Sequence, residues 1–342
     1  MLLGRDIGID LGTTTVLVST RGKGVILREP SVVAMDKSSG RLLNVGLAAQ
    51  RMLGRTPGNI VAIRPLRGGA ISDYDMTERM LRELVRKAVS FGLFKPRVII
   101  SVPSGITEVE ERAVIDAGLA AGARRVYLME APLAAALGAG IDISKADGQM
   151  IVDCGGGTTD VAVLSLGGVV ESESIKSAGE TFDEELIKYI RRRHNVLIGD
   201  NTAEELKKSI GCVFPKSETT TVDVKGRNLM TGLPHVVSIN TTEILEAFEE
   251  VSERIVESIH RVLEYTPPEL VADISQNGIV LTGGGSLLWG FDKLIESRTN
   301  IPTRIADDAE LCVAYGLAKS LSNVNSMREG TINLSRRKQM KG

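Results

Sequence analysis

Cysteine is scarce: the 342-residue chain has three, Cys154, Cys212 and Cys312. They are odd in number, well separated and without a CxxC pair, which argues against a disulfide framework or a thiolate zinc site and fits a reducing compartment. No charge of one sign dominates, the net being −2. A surface without basic excess argues against nucleic acid as the main partner. No apolar run approaches the ~18 residues that a spanning helix needs. A strand pattern already begins at Arg5, so no room is left for a signal peptide and a cytoplasmic protein is expected. Two nucleotide motifs are missing as well. There is no GxxxxGK loop followed by Ser or Thr, and neither glycine cluster completes GxGxxG, so P-loop nucleotidases and dinucleotide folds lose support. His194, His235 and His260 have no mutual spacing suited to metal ligation. Any metal must therefore arrive with an anionic ligand.

What is present is one pattern used twice, in Ile9-Asp10-Leu11-Gly12-Thr13-Thr14-Thr15-Val16 and Val152-Asp153-Cys154-Gly155-Gly156-Gly157-Thr158-Thr159-Asp160-Val161. An apolar strand delivers an aspartate, a turn of Gly and Thr follows, and a second β-branched strand leaves, which reads as a hairpin. Glycines let backbone N–H groups approach an anion, and threonine hydroxyls add donors without adding charge. The aspartate before the turn is placed to hold a hydrated Mg²⁺ against phosphates. A single hairpin of this kind is common punctuation; two copies half a chain apart point to a phosphate clamp.

Along the rest of the chain strands and helices alternate as in α/β layers, and the length predicts about two domains. Capping boxes are read at Asp75-x-x-Glu78, Thr107-x-x-Glu110, Thr181-x-x-Glu184 and Thr202-x-x-Glu205. Val126 to Met129 is a short strand, with Pro132 at the start of the small-residue helix Leu133 to Ala139. The segment from about Cys212 to Ile239 is predicted to be a strand-rich insert. A long amphipathic helix follows, its stripe being Ile244, Phe248, Val251, Ile255, Ile259 and Val262. Ile279 to Thr282 then runs into Gly283-Gly284-Gly285-Ser286, repeating the strand, turn and helix of Val98 to Glu110. Each half thus has a hairpin early and a strand-to-helix turn late, the mark of a duplicated domain with a cleft between copies.

Asp10-Leu11-Gly12-Thr13, Asp153-x-Gly155-Gly156-Gly157-Thr158 and Thr282-Gly283-Gly284-Gly285 together resemble the actin, Hsp70 and sugar-kinase superfamily of ATPases. Arg55-Thr56-Pro57-Gly58-Asn59-Ile60, Arg64-Pro65, Val102-Pro103-Ser104-Gly105, Glu111-Arg112-Ala113-Val114, Thr231-Gly232-Leu233-Pro234 and Tyr265-Thr266-Pro267-Pro268-Glu269-Leu270 resemble the MreB family of bacterial actin homologues. That resemblance runs from about Asp6 to Ser320. It implies an α/β, actin-like ATPase fold of two duplicated RNase H-like domains, each with a smaller inserted subdomain. The expected boundaries are 1–32, 66–145 and 310–335 for the first core and 33–65 for its insert. The second core takes 146–180 and 241–309, its insert 181–240, and 336–342 form a basic tail.

The resemblance also implies site residues for ATP or ADP with Mg²⁺. Gly12, Thr13 and Thr14 match one phosphate loop and Gly156, Gly157 and Thr158 the other, with Asp10 and Asp153 as Mg²⁺ partners, mostly through water. Glu204, Glu205, Leu206 and Lys207 fall where the family contacts the nucleoside, and Gly284, Gly285, Ser286 and Leu287 where it contacts the α-phosphate and adenosine. Glu130 matches the glutamate that orients the attacking water, with Thr158 as second positioner. On residues alone Glu130 has another reading, as negative charge at a helix amino terminus, and Glu204 and Glu205 share it. Lys207 alone reads as a solvated surface lysine.

A second stretch, Phe91-Gly92-Leu93-Phe94, has Lys87, Lys95 and Arg97 nearby. On sequence it is either a locally packed loop or, as the resemblance implies, a membrane-inserting loop in which Leu93 and Phe94 enter lipid and the cations address anionic headgroups. Repetition along a filament would make weak anchors effective. The implied partners are further copies in double protofilaments, the inner membrane surface, and transmembrane cell-shape and cell-wall synthesis proteins. Gly12-Thr13-Thr14-Thr15-Val16 departs from the Gly-Thr-Ala-Asn-Thr of many relatives, leaving backbone donors intact. A rival expectation is a small-molecule kinase, with Glu130 or a nearby aspartate activating a substrate hydroxyl. A chaperone-type ATPase is the third; only 22 residues follow Ser320, too few for a peptide-binding domain.

Overall fold

The computed structural model describes residues 6–89 and 95–325. Leu93, Phe94 and the basic tail 336–342 lie outside the described residues. Strands Ile7–Leu11 and Thr15–Thr20 pair antiparallel with Asp10 opposite Leu17, and Gly24–Pro30 joins beyond them. On the other side Arg97–Val102 and Arg125–Glu130 add in parallel, giving a five-stranded sheet. The second sheet repeats that order and those directions. Gln149–Cys154 and Thr159–Ser165 are its hairpin, with Asp153 opposite Asp160, Gly168–Ile175 flanks it, and Ile279–Thr282 and Thr303–Ile305 add in parallel. Consecutive residues such as Val16, Leu17 and Val18, and Val98, Ile99 and Ile100, are buried, as strands covered on both faces require. Helices Glu108–Ala120 and Phe291–Thr299 make the equivalent parallel crossovers. Both glycine-threonine turns therefore emerge at the same edge of their sheets.

Smaller elements extend each half. Val33–Asp36, Leu42–Val45 and Ile60–Ile63 form one three-stranded sheet around a small core of Val32, Ala34 and Ala49. Val196–Leu197, Thr221–Asn228 and Pro234–Asn240 form another. The stripe read on the long helix is buried throughout Thr241–Tyr265, and Phe248 meets Phe182 edge to face at 4.8 Å between ring centroids. That geometry contributes roughly 0.5–1.5 kcal/mol beyond area burial.

Three of the four capping boxes are not helix starts. Asp73 caps Tyr74–Ala88 by accepting from the Met76 amide, while Glu78 pairs with Arg82. Helix Gly179–His194 begins before Thr181 because the second hairpin supplies acceptors: the Gly179 and Glu180 amides donate to the Gly155 and Gly156 carbonyls. Thr202 lies inside Asp200–Ile210, which starts after Gly199. Only Thr107 and Glu110 form the reciprocal box that the spacing predicts.

The halves share a core. Helices Ala131–Gly138 and Cys312–Ser320 lie in one buried cluster with Ile99 and Tyr127 of the first sheet and Ile151, Ala162 and Val280 of the second. Their backbones touch. A Cβ on Gly138 would stand 1.8 Å from the Cys312 carbonyl oxygen, and one on Gly316 would stand 1.8 Å from that of Ala134. Small residues permit this crossing, and backbone cannot yield as a flexible side chain does. Gly316→Ala should therefore lower stability by about 1–3 kcal/mol, the usual cost of overpacking. Urea unfolding would measure it, and an unchanged midpoint would contradict the contact.

Candidate functional site

Between the two sheets lies a cleft of 690 Å³, within the ~300–1,000 Å³ common for small-ligand sites. Both glycine-threonine turns line it and meet each other. A Cβ on Gly156 would be 2.0 Å from Thr14 Oγ1, and one on Gly157 would be 2.2 Å from Thr13 Oγ1. Threonine hydroxyls of one half thus rest on bare glycine backbone of the other. Further bonds tie the halves here. Thr14 Oγ1 donates to Glu180 Oε1 (3.5 Å), which also pairs with Arg64 (2.8 Å), while within the first half the Gly69 amide donates to Thr13 Oγ1 (3.0 Å). Arg28 and Glu310 form an ion pair in the cleft wall.

Three aspartates line the floor. Asp10 accepts from Ser101 Oγ (2.8 Å) and Asp153 from Thr282 Oγ1 (2.8 Å). Asp160 accepts from the Ser104 amide (2.8 Å) and Thr158 Oγ1 (3.1 Å). None has a lysine or arginine within ion-pair distance among the described residues. Burial pushes Asp10 up to about 7, despite the Ser101 bond, with Asp153 adding like charge. Asp153 rises to about 6 by burial, and Asp160 to about 7 by burial and the nearby Asp153. Asp183 is also pushed to about 6 by burial, although Lys207 pairs with it at 2.7 Å.

The sequence-derived residues divide. Gly12, Thr13, Thr14, Gly156, Gly157, Thr158, Asp10, Asp153, Glu204, Lys207, Gly284, Gly285 and Leu287 all line the cleft. Four others do not. Leu206 is in the second core, Ser286 is buried and turns its hydroxyl to the Gly283 carbonyl, and Glu205 lines a separate depression with Arg51 and Arg55. Glu130, 3% exposed, stands just behind the wall: its chain neighbour Ala131 lines the cleft, while its own carboxylate takes a bond from Ser104 Oγ (3.4 Å). Lys207 is not a solvated lysine, since its ammonium also reaches the Gly179 carbonyl (2.7 Å). The helix-terminus alternative does not apply to Glu204, because its helix begins at Asp200 and Glu204 lies past the first turn, where it pairs with Lys208.

Sequence reasoning missed Asp160, Glu180, Arg64 and Trp289. Asp160 could have been found as the lone charged residue in a wholly buried strand, Thr159–Ser165. Trp289, the only aromatic side chain lining the cleft among the described residues, carries Lys216 and Lys293 ammoniums 5.2 and 4.6 Å from its ring centroid. Its signal was weak, as one tryptophan beyond a glycine turn.

Two sheets of one topology, closing on paired glycine-threonine turns, define an actin-like ATPase fold. The chain belongs to the MreB/Mbl family, whose match covers residues 4–329. It is 48% identical over 327 residues to the cell shape-determining protein Mbl of Bacillus subtilis (strain 168), spanning 95% of this chain and 98% of that protein. Identity to the cell shape-determining protein MreB of Escherichia coli (strain K12) is 46% over 330 residues, 95% of each chain. Among solved structures, MreB 5 of Spiroplasma citri bound to AMPPNP matches with TM-score 0.90 and 37% identity, over 94% of this chain and 97% of that one. A MamK double helical filament matches at TM-score 0.79 and 24% identity, covering 92% and 98%, a likeness of fold alone.

Buried acids without countercharge make stability depend on pH. Their folded pKa values lie above the unfolded aspartate value of ~3.9, so their stabilising contribution is complete below about pH 4 and is lost as pH rises through about 6–7. Without added ligand, the melting temperature should be higher near pH 5.5 than near pH 8. Asp10→Asn should shrink that difference in thermal melts; a pH-independent midpoint in the unaltered protein would contradict the assignment.

Proposed function

We propose that this chain binds ATP with Mg²⁺ between its halves, hydrolyses it to ADP and phosphate, and couples that cycle to assembly into filaments on the inner face of the cell membrane. There it would help set cell shape by organising cell-wall synthesis. The observation that carries the reading is the meeting of the two turns, which brings glycine backbone and threonine side chains from both halves together at one place in the cleft. A ligand held by both turns stabilises the closed arrangement by its own binding energy. Support also comes from relatives: MreB 5 of Spiroplasma citri is known with AMPPNP and with ADP, and the Mbl and MreB relatives are named for determining cell shape.

The residues suit the metal. Asp10, half-buried, and Asp153, buried, are oxygen donors without a cationic partner among the described residues, and a hard divalent cation favours such donors. When bound, Mg²⁺ would neutralise phosphate charge. In hydrolysis a water oxygen bonds to the γ-phosphorus, the bridging oxygen departs with ADP, and the water's proton passes to phosphate or solvent. The chain's part in this is positioning and water exclusion, the main contributions protein makes to phosphoryl transfer. Glu130 and Thr158 are the proposed holders of that water.

Membrane attachment rests on Leu93 and Phe94, which the structure does not describe. Two of the three cations near them are engaged within the fold, Arg97 with Asp6 (2.5 Å) and Lys87 with Glu29 (2.7 Å), while Lys95 is exposed. Attraction to anionic lipid is therefore weaker than three free cations would give, and insertion of the apolar pair becomes the main anchor. Sedimentation with ATP, Mg²⁺ and anionic lipid vesicles tests the whole reading. Polymer should pellet with ATP and co-float with vesicles, and a double variant with Leu93→Ser and Phe94→Ser should assemble yet no longer float. Absence of polymer with every nucleotide, together with γ-phosphate transfer to an added sugar, would move the chain to the kinases.

A further inference from the structure

Glu130 and Thr158 belong to different halves, and a hydrolytic pair split in this way needs something to bring its members into register. One residue does so by direct bonds. Asp160, fully buried at the cleft floor, accepts from Thr158 Oγ1 (3.1 Å) within its own half and from the Ser104 amide (2.8 Å) of the other half. Ser104 in turn donates its hydroxyl to Glu130 Oε2 (3.4 Å). A continuous path, Thr158 to Asp160 to Ser104 to Glu130, thus crosses the cleft behind its wall.

The polarity of these bonds decides what Thr158 can offer. A hydroxyl has one donor and two acceptor sites, and an ionised carboxylate, the form Asp160 takes above about pH 7, only accepts. With its proton committed to Asp160, Thr158 presents only lone pairs to the cleft. Glu130 is likewise an acceptor. Two acceptors can engage both protons of one water and leave its own lone pair directed away from them, towards an electrophile. Without Asp160 the Thr158 hydroxyl would be free to donate to a phosphate oxygen or to the water, which orients the nucleophile wrongly. The Ser104 bond adds a condition: it exists only while the two halves are together.

We propose that Asp160 is a positioning residue for hydrolysis, fixing the donor direction of the Thr158 hydroxyl and linking it across the cleft to the Ser104 and Glu130 pair. The inference rests on the ATPase reading above and adds to it a reason why hydrolysis follows closure. Open molecules hold nucleotide with the Thr158 hydroxyl unlinked to the other half; closed ones complete the path.

Asp160→Asn keeps size and shape but replaces one acceptor oxygen by a donor, so it tests polarity. Steady-state phosphate release with Mg²⁺ and ATP should show kcat reduced at least about tenfold, with KM and calorimetric ATP affinity within about twofold, the split expected when an interaction specific to the transition state is lost. Asp160→Glu retains a carboxylate and should recover most of the rate, which also answers for any instability of the Asn variant. Combining Asp160→Asn with Thr158→Val should be no slower than either alone, because both remove the same interaction. Wild-type kcat in Asp160→Asn, a loss confined to KM, or fully additive losses in the double variant would overturn the proposal. Glu130→Ala separates the two readings: if it slows release while Asp160→Asn does not, only the positioning role fails, and if neither slows release, the hydrolytic reading fails as well.

Discussion

Contact between the threonine hydroxyls of one turn and the bare glycine backbone of the other is the constraint on which the rest depends. Any side chain at Gly156 or Gly157 would occupy the place of Thr14 or Thr13. Glycine is needed for access, because neither position has a positive φ. The approach brings the turns of two separate sheets together at one place in the cleft. Under the proposed function, ligand binding and domain closure would be one event, and affinity for the ligand would be affinity for the closed form.

The rest of the architecture transmits that event. The two sheets share a buried cluster through helices whose backbones touch at Gly138 and Gly316, so rearrangement of the halves requires these packed helices to pivot or slide together. At the cleft, Arg64 with Glu180 and the Ser104 amide with Asp160 join the halves by polar bonds that opening would break. Buried acids oppose those ties. Asp10, Asp153 and Asp160 are held together without a countercharge among the described residues, which costs stability near neutral pH and favours a bound cation. The site is strained electrostatically where its ligand would relieve the strain.

Much of this was legible in the chain. The duplicated Asp and Gly-Thr turns pointed to two hairpins facing one cleft, which is where they lie, and the two sheets follow the repeated strand and turn pattern. Local rules failed where tertiary contacts replaced them. Thr181 looked like a cap, but the Gly155 and Gly156 carbonyls cap that helix from a distant hairpin. Leu206 lies between the cleft residues Glu204 and Lys207 in sequence, yet helical geometry turns it inward to the core. Arg64 and Glu180 meet across 116 residues, a pairing that no local pattern encodes. Asp160 was visible as a letter but not as a role, since its partner Ser104 comes from the other half. Lys87 and Arg97 read as free cations until Glu29 and Asp6 were found opposite them.

The central claim is that nucleotide is held by both turns at once, and the chain contains its own reporter. Trp289, the single tryptophan, lines the cleft. Titrating Mg²⁺ and ATP while following its emission should give a saturable change in the unaltered protein and none in Gly157→Ala, whose added methyl would meet Thr13. An equal, saturable change in both proteins would contradict a clamp formed by the two turns.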